Sequence, residues 1–166
     1  MVKSMSLLNK SGYVHIDFAF AITFFFIFFY TVYTIHMQGL YAIKDSKNQV
    51  LYLSQARDIC YILNSYEGKP SNWQLSPASM QVLGLKNETS GLISMAKVSK
   101  LDNSIYFQIL DGYDLEDHVY IEVKDLVSNV VYSSVGTKSS KSQFAEYHCY
   151  GTSPTSVVDI GVRVWS

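Results

Sequence analysis

Asp17 stands just inside the longest apolar run of the chain, in the stretch KSGYVHIDFAFAITFFFIFFYTVY, residues 10 to 33. A carboxylate in hydrocarbon costs roughly 2.5 to 3.5 kcal/mol at mid-bilayer and less toward the interface, so such a group calls for a partner. The nearest side-chain cations, Lys10 and Lys44, both lie outside the run, and His15 is two residues away, on a different face of a helix. A cut after Gly12 would supply the missing cation. The new terminus, Tyr13, would carry an α-ammonium, with Asp17 at the fifth mature position. Pairing within one chain, or with a neighbour one step along a helical bundle, would offset the desolvation of the carboxylate. The intermolecular pairing would also set the axial register between subunits.

Other residue types able to do chemistry are sparse. Cys60 and Cys149 are the two cysteines of the chain. Outside the cell they are candidates for a disulfide; otherwise they read as two buried thiols. His148 adjoins Cys149, but neighbouring strand residues point to opposite faces, so the pair does not converge on one ion and the histidine reads as solvent-facing. The acidic group DGYDLEDH, residues 111 to 118, lacks the ligand spacing and glycine of a calcium loop and reads as a solvated turn. No phosphate loop, zinc spacing or nucleophile triad is visible, so catalysis, a metal and a cofactor are not expected. Asn87-Glu88-Thr89 is an N-glycosylation triplet in a loop region; triplets this short also arise by chance.

These residues need elements to position them. With 166 residues the chain has room for one ordinary domain. A net charge of -1 and the lack of any Lys/Arg-rich stretch argue against nucleic acid as a partner. From Phe18 to Ile35 tyrosine is the sole ionisable type, and Phe24, Phe25, Phe26, Phe28 and Phe29 leave no polar face on a helical wheel. The run just reaches membrane length. An ordinary secretory signal would have a shorter apolar region and small residues at a cleavage site, whereas here the run leads into Tyr33-Thr34-Ile35-His36-Met37. The leader MVKSMSLLNKSG carries Lys3 and Lys10 and no acid, which keeps that end cytoplasmic and places the bulk of the chain outside.

Residues 38 to 66 contain no proline and keep apolar residues at helical spacing: Leu40, Ile43, Val50, Leu53, Ala56, Cys60 and Leu63. Joined to the apolar run they predict a helix of about 50 residues, ended by Gly68 and Pro70. Residues 71 to 103 are turn-rich, with a short helix at 95 to 101. Strand signals follow at 104 to 110, 118 to 127, 129 to 135, 143 to 150 and 157 to 165. Short connections favour an antiparallel sheet with one face covered by the helix stripe, and Trp165 is expected in that packing.

The N-terminal pattern resembles the type IV pilins, in particular archaeal pilin-like proteins with class III signal peptides. The likeness rests on a short basic leader ending Lys10-Ser11-Gly12, an acid at the fifth mature position and an apolar stretch of about 20 residues. Tyr13 departs from the phenylalanine or glutamine usual at the first mature position, and Asp17 from the usual glutamate. A weaker likeness lies in residues 72 to 98, where a tryptophan turn precedes a glycine-leucine segment. The resemblance implies an α+β fold, a long, partly transmembrane helix packed on an antiparallel sheet. It also implies a prepilin peptidase, other pilin subunits and an assembly ATPase with its membrane platform as partners.

The expected organisation is a cleaved leader, 1–12; a membrane or filament-core helix, 13–36; its amphipathic continuation, 37–66; and an extracellular β-rich head, 67–166. The expected function is a structural, adhesive subunit of a surface filament or pseudopilus, held in the cell membrane before assembly. The alternative is an uncleaved, single-pass, membrane-anchored binding domain.

Overall fold

The computed structural model describes residues 8–115, 118–138 and 144–166, with side chains from Ile16 onward. The chain is α+β and divides into two units, Met1–Asp45 and Ser46–Ser166. Helix α1, Leu8–Ser65, supplies the described part of the first unit and the opening element of the second.

In the first unit α1 has no polar stripe. Phe18, Phe24, Phe26, Phe28 and Tyr30 point outward around it, each about two-thirds exposed. The hydroxyls of Thr23, Thr31 and Thr34 each donate to the carbonyl one turn earlier, at 2.8 Å, so they present no unpaired O–H to the surroundings. Phe25 stacks on Phe29 one turn on, with ring centroids 6.2 Å apart. The helix is long and apolar enough to cross a membrane, and none of its 18-residue apolar window is buried. A helix recruited to a soluble core would be covered on at least one side.

The second unit is built on four antiparallel strands: β1, His118–Asp125; β2, Val131–Val135; β3, Ala145–Thr152; and β4, Val157–Trp165. Their order is β2-β1-β4-β3. Alternation sets the faces. Val119, Ile121, Val123, Val158, Ile160, Val162 and Val164 point inward and are fully buried. Against them pack Tyr52, Ala56, Ile59, Cys60 and Leu63 of α1 in one apolar cluster. The stripe that meets the sheet therefore runs through 52, 56, 59, 60 and 63, while Val50 and Leu53, expected in it, are 67% and 46% exposed.

Two further expectations change. The segment 104 to 110 is helical: a 3-10 turn at Asn103–Ile105 leads into α3, Tyr106–Gly112. Its β-branched and aromatic composition suggests a strand, but Ile105 and Ile109, four apart, are the buried pair, and the Asp102 carboxylate caps the Ser104 N–H at 2.8 Å. Trp165 is buried outside the apolar cluster, stacked on His118 with ring centroids 5.8 Å apart.

Between α1 and β1 the loops fold around Trp73, which is fully buried and donates from Nε1 to the Gly84 carbonyl at 2.9 Å. A Cβ on Gly84 would lie 2.4 Å from the Tyr66 carbonyl oxygen, so only glycine allows that approach. Short helix α2, Met95–Val98, follows. It carries Lys97, whose ammonium is buried and donates to the backbone carbonyls of Glu67 and, at 2.9 Å, Lys86.

Candidate functional site

Asp17 sits on an exposed turn of α1 between Ile16 and Phe18, which are 53% and 65% exposed, and no described residue forms an ion pair with it. Lys10, Gly12 and Tyr13 belong to the first turns of α1, and their side chains lie outside the described residues. Among the described residues the carboxylate is thus presented on an apolar, exposed stretch of helix.

In the second unit the last turns of α1 and the edge strand β3 are joined by a disulfide, Cys60–Cys149, with Cα atoms 6.0 Å apart. Cys149 faces inward and His148 outward, as strand alternation requires. Beside the bridge is a cavity of about 260 Å³ lined by Arg57, Asp58, Tyr61, Asn64, Tyr147 and Cys149. The free edge of β3 is partly closed there: Asn64 Nδ2 donates to the Tyr150 carbonyl at 3.1 Å, and the Ile93 N–H to the Thr152 carbonyl at 2.8 Å. Covering an edge in this way blocks pairing with stray strands.

The outward face of the sheet carries a line of charge that no sequence motif announces. Lys124 Nζ lies 3.3 Å from Asp159, whose other oxygen is 2.9 Å from His148 Nδ1. His148 Nε2 lies 3.6 Å from Glu146, and Glu146 accepts from Arg163 Nη2 at 2.6 Å. The Arg163 guanidinium also lies 4.2 Å from the centroid of the Phe144 ring. Register explains the line, because Lys124 is opposite Asp159 and Glu146 opposite Arg163. His148 is opposite Gly161, where an added Cβ would come within 3.1 Å of the imidazole. The histidine expected to face solvent is held between two carboxylates with 38% of its side chain exposed. The signal in the sequence was the alternation of charged with apolar residues in β1, β3 and β4; the pairing came from register.

Each carboxylate in this line is matched by a cation: Lys124 for Asp159 and Arg163 for Glu146. Among the described residues no group of three His, Cys, Asp or Glu side chains is arranged to hold a metal ion. Two other polar groups are structural. Asp125 accepts from the backbone N–H groups of Val127 and Ser128 and from the hydroxyls of Ser128 and Tyr132. The Ser128 N–H leads the interactions that hold its carboxyl well below the usual carboxylate range. Burial lowers the pKa of Lys97, against the pull of Glu67 and Glu88.

Asn87, Glu88 and Thr89 form an exposed turn closed by the Lys86 to Ile93 bridge.

No family model, curated protein or solved structure matches this chain. The functional reading therefore rests on the residues and their placement.

Proposed function

We propose that this chain is a type IV pilin-like structural subunit of a surface filament or pseudopilus. In this reading a prepilin peptidase cuts after Gly12, the apolar part of α1 holds the subunit in the membrane, and subunits are then drawn into a polymer by an assembly ATPase and its platform. Packing of the phenylalanine-rich helices forms the filament core, and the Tyr13 ammonium and Asp17 set the register. The β-rich unit meets ligands or surfaces and catalyses nothing.

The observation that carries the reading is an exposed apolar helix, long enough to span a bilayer, with an acid at the fifth position after Gly12. Among the described residues nothing covers this apolar window, and lipid or the same helix of other copies would supply that cover. Intact mass and N-terminal sequencing of the protein from its native envelope test it. A chain beginning at Tyr13 supports it; a chain beginning at Met1 overturns it.

The departures at Tyr13 and Asp17 favour, as the second reading, an uncleaved surface domain on a single anchor that does not polymerise.

A further inference from the structure

We infer that Asn87 is a covalent attachment site for an N-linked glycan, a modification that rests on the exported topology proposed above. The triplet Asn87-Glu88-Thr89 has the composition that N-glycosyl transferases accept, and the fold presents it in a form they can use. Lys86 and Ile93 pair as an antiparallel bridge, and the Asn87 N–H donates to the Leu92 carbonyl at 2.7 Å, so residues 87 to 92 form a closed loop. Within it Asn87, Glu88, Thr89, Ser90 and Gly91 are all exposed. At Gly91 an added Cβ would meet only Lys86 Cε, at 3.7 Å, so this part of the loop is uncrowded.

The Asn87 side chain is oriented by its own turn. Oδ1 accepts from the N–H of Thr89 at 2.9 Å and of Ser90 at 3.0 Å. That occupies the oxygen and leaves Nδ2, the atom a glycan would join, without a hydrogen bond to any described residue. The Thr89 hydroxyl is in the same state and is available to a transferase that reads the third position. The donor class is a sugar carried on a polyprenyl phosphate or diphosphate. Nδ2 attacks the anomeric carbon, the bond from that carbon to the phosphate oxygen breaks, and the lipid phosphate leaves with the electron pair. The amide gives up one proton to a base, and no oxidation state changes. A second such triplet, Asn9-Lys10-Ser11, belongs to the leader that the proposed topology keeps cytoplasmic.

The test is surface proteolysis of intact cells, followed by mass spectrometry of the tryptic peptide from Asn87 to Lys97. The expected result is a protein reached by the external protease whose peptide carries sugar residues localised to Asn87. Asn87→Asp keeps an acceptor for both turn bonds while removing Nδ2, so it abolishes the added mass without disturbing the loop; Thr89→Ser retains it. An unmodified peptide in a protein the protease does reach overturns this inference alone. A protein the protease cannot reach overturns the exported reading and the modification with it.

Discussion

Cys60 near the end of α1 and Cys149 in β3 are bonded across 89 residues of chain, tying the helix to the edge strand of the sheet it covers. Closing so long a loop removes much of the freedom of the unfolded chain, about 4 to 5 kcal/mol in the chain-entropy model. Cys60→Ser with Cys149→Ser, or reduction of the wild type, should lower the unfolding free energy by about 2 to 5 kcal/mol in urea titrations. An unchanged midpoint under reductant would mean that the bridge adds no constraint.

Asp17 should be dispensable for folding of the β-rich unit and required for polymerisation. Asp17→Ala should leave the circular dichroism melt of the detergent-extracted full chain unchanged and abolish the protein in sheared filaments. Asp17→Glu keeps the charge and should restore them. Filaments at wild-type levels from the alanine variant would show that no ion pair at this position sets the register.

Asp125 makes stability pH-dependent in a defined direction. Its folded carboxyl is held well below the usual range, chiefly by the Ser128 N–H and by the Ser156 and Ser128 hydroxyls. The stabilisation is therefore complete above the unfolded value near 4 and is lost as pH falls toward the folded value. Asp125→Asn should flatten the acid side of the urea-midpoint profile between about pH 5 and pH 2 and lower its plateau. An acid limb as steep as the wild type's would assign it to other carboxylates.

Lys97 tests a buried cation used as a clamp between loops. Lys97→Met keeps the aliphatic stem but strands the carbonyls of Glu67 and Lys86, and each unpaired buried acceptor costs about 1 to 3 kcal/mol. The expected outcome is a destabilised but folded protein, with faster amide exchange concentrated in the loops at 67 and 86. Exchange rising evenly over the sheet would instead point to a general packing defect.

Local rules made much of this fold legible. Strands β1 and β4 were readable because Val119-Ile121-Val123 and Val158-Ile160-Val162-Val164 alternate with other residues, and a period of two has few other interpretations. Strands β2 and β3, expected at 129 to 135 and 143 to 150, form at Val131–Val135 and Ala145–Thr152. The segment 104 to 110 misled because its residue types favour strands while its burial follows Ile105 and Ile109 at a helical spacing, too short a run for the period to declare itself. On α1 the helix itself was legible, but its buried face was not. Val50 and Leu53 are as apolar as Ile59 and Leu63, and the packing partner chose between them.

The candidate site divides in the same way. By itself the sequence determined an uninterrupted apolar helix, an acid placed five residues after Gly12, two cysteines and an Asn87 triplet, because composition and spacing along one chain are properties any short segment carries alone. Only the tertiary structure decided that Cys60 meets Cys149, that Lys124, Asp159, His148, Glu146 and Arg163 form one line, and that Lys97 bridges two loops. The charged line depends on strand order and register, and register is set by burying one whole face of the sheet at once. The disulfide and the Lys97 contacts depend on which distant segments the packed core brings together.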